Sequence, residues 1–205
     1  MAVVIGISDF IENGEHKYCW MCQKPVHIRA IFCHICGSVQ QVLKIDHFAR
    51  LNVEKNLEVD LELLEKNYAA LTKILNPEKF MIRGINERKY AVQHFGALQE
   101  AYHTLKDPLK RGKYWLSLNE KILDDEEYQE LPIVEDIKIE LEQALKPSEC
   151  DLVARKVCQT LEQAIGVFMQ ALRGSAWRNA NATLQHISSL EEVLNSVRAK
   201  RNALK

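Results

Sequence analysis

An all-α fold is predicted, and three observations predict it. Eight glycines and five prolines in 205 residues leave little of the turn chemistry that a β-rich chain needs. From Asp60 onward, apolar residues recur at alternating steps of three and four, the spacing of one helix face. The breaks in that pattern fall at Pro77, Pro108, Pro147 and Gly174, where helices stop. The N-terminal quarter is different, because four of the six cysteines crowd into it. Helices are therefore expected after a small metal-dependent segment.

That segment reads "CWMCQKPVHIRAIFCHIC" and holds Cys19, Cys22, Cys33 and Cys36 as two Cys-x2-Cys pairs separated by ten residues. Pairs of this spacing form knuckles whose four thiolates converge tetrahedrally on Zn²⁺. Disulfides would need an oxidising compartment, to which nothing in the sequence points. Four thiolates complete the shell and leave no position for water, so the zinc is expected to be structural. His16, His27 and His34 are then surface or outer residues and not ligands. A piece of about 25 residues cannot bury a core of its own, so metal binding would supply its folding energy.

The first helix is expected to begin at Asp60 as N-cap and to carry Leu64, Tyr68, Leu71 and Leu75 on one face. Pro77 ends it, because a residue before proline is pushed out of the α region. A second helix carries Ala91, Phe95, Leu98, Tyr102 and Leu105. The two make an antiparallel hairpin, with "NPEKFMIRGIN" as its exposed tip. A short helix follows in "LKRGKYWLSL", then the acidic "NEKILDDEEYQELP", which has no apolar period. Three further helices form a bundle: one with Val134, Ile137, Leu141 and Leu145, one with Val157, Leu161, Ile165, Phe168 and Leu172, and one with Trp177, Ala180, Leu184, Ile187, Leu194 and Val197. Cys150 and Cys158 lack metal-ligand spacing and read as helix residues. The expected division is an N-terminal segment, 1–16; the tetracysteine segment, 17–42; a hairpin domain, 43–118; an acidic linker, 119–132; and the bundle, 133–205.

Composition narrows function. A net charge of −1 and the lack of a basic aromatic strand around the cysteines argue against nucleic-acid binding. No apolar run approaches the roughly 20 residues of a membrane span, and "MAVVIGISDF" lacks the features of a signal or transit peptide. No Gly-rich phosphate loop, H-E-x-x-H or nucleophile elbow occurs, so a binding protein is expected and not an enzyme.

Several segments carry a family resemblance: "CWMC" and "FCHIC" followed by "HFARL", then "VDLELLEKNYAALTKILNPEKF", then "EAYHTLKDPLKRGKYWL" with its A-Y-x-x-L-x-x-P-x-x-R-x-x-Y-x-L pattern. With these the chain resembles the HscB family of J-domain co-chaperones, which serve iron–sulfur cluster assembly. The resemblance implies that 43–118 is a J domain and that 133–205 is a client-binding bundle. It implies two protein partners, a DnaK-type chaperone and an IscU-type iron–sulfur scaffold, in bacterial cytoplasm or, as the alternative, the mitochondrial matrix. In the family the tip carries His-Pro-Asp and docks, with basic residues of the preceding helix, on the chaperone to stimulate ATP hydrolysis. The matching positions here are Asn76, Pro77 and Glu78, followed by Lys79, with Lys66 and Lys73 as the helix cations. Asn lacks the imidazole, and Glu moves the carboxylate by one methylene, which changes its reach to a bidentate arginine. The alternative is therefore a J-like adaptor that binds partners without stimulating hydrolysis. The scaffold-binding face implied by the resemblance maps to Val134, Ile137, Ile139 and Leu141. Ile139 falls off the stripe of the other three, so one set can face the core and the other a partner.

Overall fold

A computed structural model describes residues 16–121 and 131–204. The expected N-terminal segment, 1–16, lies outside the described residues except for His16, and the expected linker, 119–132, lies outside them over 122–130. The chain separates into two compact units, Met1–Leu105 and Lys106–Lys205.

The first unit opens with two short antiparallel strands, β1 (His16–Tyr18) and β2 (Pro25–His27), in the register His16 to His27, Lys17 to Val26 and Tyr18 to Pro25. Helix α1 (His47–Leu51) starts at Asp46, whose carboxylate accepts from the Ala49 N–H at 2.7 Å, and stops at Asn52 in the left-handed region. Helix α2 (Leu61–Leu75) starts at Asp60, whose carboxylate accepts from the Leu63 N–H at 3.0 Å. These are N-caps satisfying donors that a helix cannot satisfy itself. Leu64 and Leu75 are buried and Tyr68 and Leu71 half-buried, as the stripe predicts. After a 3-10 turn over Pro77–Phe80, helix α3 (Ile85–Lys106) buries Ala91, Leu98 and Leu105. Tyr68 stacks on Tyr102 across the hairpin, with ring centroids 4.0 Å apart and planes 8° from parallel.

The second unit holds α4 (Pro108–Leu118), α5 (Pro132–Gln143), α6 (Pro147–Arg173) and α7 (Trp177–Ala203). Pro108, Pro132 and Pro147 each stand at the first turn, where a missing N–H costs nothing and a fixed φ suits the helix. Pro147 thus both follows α5 and opens α6. Helices α5, α6 and α7 pack on one another as the expected bundle. The α6 core is wider than the predicted stripe: Val157, Phe168 and Leu172 are buried, but so are Val153, Ala164 and Met169, while Leu161 and Ile165 are half-buried. Contacts with α4, α5 and α7 on different sides explain this, since each neighbour covers its own arc of the helix. In α7, Leu190 and Val193 join Ala180, Ile187 and Val197 in the core.

Polar groups tie the ends of the bundle together. Lys200 of α7 donates to the carbonyls of Leu141 and Glu142 at 2.6 and 2.8 Å, satisfying the exposed end of α5 and complementing its dipole. Arg201 holds Asp151 through two hydrogen bonds, Nε to Oδ1 at 2.5 Å and an Nη to Oδ2 at 3.2 Å, and Lys156 pairs with Glu140. The Glu149 carboxylate accepts from the Leu145 and Lys146 N–H groups at 2.7 and 3.1 Å, which holds it below the usual carboxylate range.

Helix α4 lies in the second unit and packs closely on α6. Gly112 is the reason: a Cβ there would meet the Phe168 ring and would lie 2.9 Å from Leu172 Cδ1, so only glycine lets α4 approach α6 this closely. Sequence periodicity does not reveal which helix a short amphipathic segment chooses. Gly112→Ala is expected to lower stability by about 1–3 kcal/mol through overpacking, read from denaturant unfolding with α-helical signal in the second unit.

Candidate functional site

The two Cys-x2-Cys pairs fold into knuckles of the same design. In the first, the Cys19 N–H donates to the Lys24 carbonyl and the Gln23 N–H returns to the Cys19 carbonyl, at 2.8 and 3.0 Å. In the second, the Cys33 N–H donates to the Ser38 carbonyl and the Gly37 N–H returns to the Cys33 carbonyl, at 2.9 and 2.8 Å. Each knuckle closes on a residue with positive φ, Gln23 at 57° and Gly37 at 73°. Glycine adopts this conformation freely, whereas Gln23 takes it without that advantage.

The four Sγ atoms lie within 4.8 Å of one another, and the pairs Cys19–Cys36 and Cys22–Cys33 are each 3.7 Å apart. A tetrahedral sulfur shell about 2.3 Å from a central ion has edges of about 3.8 Å, so the donors stand where one ion needs them. Among the described residues no His, Asp or Glu joins this cluster. His16 and His27 face each other across β1 and β2, and His34 is exposed. Burial raises the Cys19 thiol, but hydrogen bonds from the Cys22 N–H, Ser38, the Met21 N–H and Gln40 outweigh it and bring it to about 5. The Lys24 N–H favours ionisation of Cys22, yet burial and the adjacent sulfurs push it up to about 12. Four neighbouring sulfurs cannot all ionise without a cation among them.

Residues around the shell connect it to the helical hairpin. Gln40 donates to Cys19 Sγ at 3.4 Å, while its carbonyl accepts from His94 Nε2 at 3.0 Å on α3. Trp20, inside the first knuckle, donates to the Val39 carbonyl at 2.7 Å and meets Tyr90 edge-on. Gln41 donates to the Tyr90 hydroxyl at 3.0 Å. None of Trp20, Gln40, Tyr90 and His94 stood out in the sequence. Trp20 alone offered a signal, as a large aromatic between two ligands with no core of its own to fill.

At the hairpin tip, Asn76 caps the 3-10 turn: its Oδ1 accepts from the Glu78 N–H at 3.0 Å, and its Nδ2 lies 3.5 Å from Glu78 Oε2. Lys79 Nζ donates back to the Lys73 carbonyl at 2.6 Å, joining the tip to the last turn of α2. Glu78, Lys79, Lys66 and Lys73 are exposed, and Asn76 and Pro77 half-exposed. The adjacent Met81, Ile82 and Ile85 project into solvent, Ile82 at 95% exposure. The structure thus gathers Asn76, Pro77, Glu78, Lys79 and Lys73 at one end of α2, with Lys66 two turns back along the helix.

On α5 the residues of the expected partner face divide into a buried set and an exposed one. Val134 and Ile137 are fully buried and Leu141 nearly so, because they pack against α6 and α7. They hold the bundle together and cannot also meet a partner. Ile139 is 46% exposed and Ile133 is exposed as well, so of the four expected residues the off-stripe one lies at the surface. Cys150 is buried in α6 and Cys158 exposed on it, and neither belongs to the four-sulfur cluster.

No family profile matches the chain. Its sequence is similar to the co-chaperone protein HscB homolog of Colwellia psychrerythraea, 38% identical over 72 residues, or 35% of this chain and 41% of the relative. It is also similar to the human iron–sulfur cluster co-chaperone protein HscB, 28% identical over 111 residues, or 52% of this chain and 47% of the relative. The matched stretches thus span under half the length of these curated relatives. The crystal structure of human HscB superposes with a TM-score of 0.76 at 22% identity, over 90% of this chain and 98% of that one. The chain thus shares the fold of human HscB and is similar in sequence to HscB co-chaperones over part of its length. The relatives that bear the name HscB are called co-chaperones. Among the described residues, no helix is long and apolar enough to cross a membrane.

Reduced protein is expected to contain one metal ion per chain by elemental analysis. Cys33→Ser should weaken metal affinity more than about 100-fold, beyond what removing an outer partner of a ligand costs. A second expectation concerns pH. Burial holds His94 below its ordinary 6.5, against the Gln40 carbonyl and together with the charges of Arg50 and Lys17. The unfolded chain therefore takes up this proton first, so His94 contributes stability fully above pH 6.5 and loses it as pH falls below that value. His94→Gln, which keeps an N–H donor without a titrating ring, should flatten the fall in melting temperature between pH 7.5 and pH 5.5.

Proposed function

We propose that this protein is a J-type co-chaperone that brings an IscU-type iron–sulfur scaffold to a DnaK-type chaperone and regulates the chaperone's ATPase cycle. The observation carrying this reading is the exposed turn of Asn76, Pro77 and Glu78 at the end of α2, flanked by Lys73 and Lys79, at the place where the family resemblance locates its chaperone contact. Pro77 fixes the turn, and the exposed lysines supply positive charge for an acidic groove. The names of the human and bacterial relatives support a co-chaperone, and that of the human relative supports the iron–sulfur pathway. The four thiols hold structural zinc in this reading: a closed all-sulfur shell suits a soft tetrahedral ion and leaves no position for catalysis. Ile139 is the α5 residue through which a scaffold would be met, with Val134, Ile137 and Leu141 as the packing behind it.

One observation favours a second reading, an adaptor that binds partners without stimulating hydrolysis. Asn76 and Glu78 engage each other within the turn, so both side chains would have to exchange local hydrogen bonds for contacts with a chaperone. Single-turnover ATP hydrolysis by the partner chaperone separates the two. The co-chaperone reading expects wild-type protein to accelerate hydrolysis, Lys73→Ala to weaken the effect, and Asn76→His with Glu78→Asp to strengthen it. Acceleration by the double variant alone would leave the adaptor reading. Capture of the scaffold should drop for Ile139→Asp with the fold retained; Ile137→Asp is no test, because it places a charge in the core.

A further inference from the structure

The tip extends from residue 76 to residue 84 between two helices, yet Phe80 is the one side chain in that stretch that is buried. Phe80 is seated outside the hairpin's own Tyr68–Tyr102 contact, in a cluster with Val39 and Ala91 against which Phe32 and Tyr90 pack. The rings of Phe32 and Phe80 lie nearly parallel, 19° apart in plane with centroids 6.4 Å apart. This is the offset arrangement that aromatic pairs favour.

Phe32 is itself held rigidly. It directly precedes the thiol of Cys33 and pairs with Val39 through a backbone bridge, with the Gln40 N–H donating to the Ile31 carbonyl at 2.7 Å and the Cys33 N–H to the Ser38 carbonyl at 2.9 Å. Ser38 in turn lies within hydrogen-bond distance of Cys19 and Cys36 Sγ, at 3.3 and 3.2 Å. From Phe80 the path to the tip is short. Its carbonyl accepts from the Arg83 N–H at 3.0 Å, while the preceding turn is closed by the Lys79 N–H on the Asn76 carbonyl at 3.0 Å and the Met81 N–H on the Glu78 carbonyl at 3.3 Å.

We propose that Phe32 is a positioning residue for the Asn76–Glu78 tip: fixed by the second cysteine knuckle, it anchors Phe80 and so sets the conformation in which the tip is presented. The consequence for a chaperone rests on the co-chaperone reading above; the anchoring itself does not. It assigns the tetracysteine segment a purpose beyond its own folding, because the second knuckle becomes the base on which the tip stands.

Hydrogen exchange on the full chain tests it. In Phe32→Ala, the amides of Lys79, Met81 and Arg83 should exchange about five- to tenfold faster, with metal content and the α2 amides between Leu64 and Leu71 unchanged. Phe32→Tyr keeps the ring and should exchange at wild-type rates. Should Phe32→Ala lose its metal, Phe32→Leu, which keeps apolar volume without a ring to stack, takes its place. Unchanged exchange at the three amides, or equal acceleration in the alanine and tyrosine variants, overturns the proposal. The same proteins in the ATP hydrolysis assay keep the two readings apart. A loosened tip with weaker stimulation supports both, whereas a loosened tip on a protein whose wild type never stimulates supports the anchoring and removes the co-chaperone reading.

Discussion

Four sulfurs within 4.8 Å of one another are the constraint on which the first half of the molecule depends. Without a cation they repel as thiolates; with one they close two knuckles whose apolar core, among the described residues, is Val26 and the cysteines themselves. Everything else in the segment follows from that closure. Once the knuckles are set, Trp20, Phe32, Val39 and the Gln40 carbonyl find their partners on the helical hairpin in Phe80, Tyr90, Ala91 and His94. A segment too small to fold alone thus gains a second source of stability by docking on α3.

The tip shows how local and long-range interactions divide one task. Its turn is made locally, by Pro77, by the cap from Asn76 and by the return of Lys79 to the end of α2. Its orientation depends on Phe80, which is buried against residues some forty to fifty positions earlier in the chain. The polar groups that would meet a partner are accordingly held in place before any partner arrives, which lowers the entropy lost on binding. The exposed Met81, Ile82 and Ile85 beside them have no packing role in the first unit.

In the second unit α6 plays the central part. It is touched by α4, α5 and α7, so its buried arc is broader than one amphipathic stripe, and small residues such as Ala164 on α6 and Gly112 on α4 fill the close approaches. Charged groups are kept for the helix ends, where Lys200 and Arg201 meet the end of α5 and the start of α6. Such contacts fix register more than they add stability, since exposed ion pairs are weak.

The sequence by itself made the long helices and the four-cysteine cluster legible. The Cys-x2-Cys spacing, the cap at Asp60 and the three-and-four periodicity are local properties, and local geometry settles them, whereas the short β1, β2 and α1 carry too few residues to show a period. Only the tertiary structure decided which apolar residues face inward where several faces are apolar: Val134, Ile137 and Leu141 went to the core and Ile139 to the surface. Only the tertiary structure set α4 against α6 and seated Phe80 on Phe32. These outcomes depend on which elements meet, and two residues nearly fifty positions apart leave no joint pattern in a single sequence.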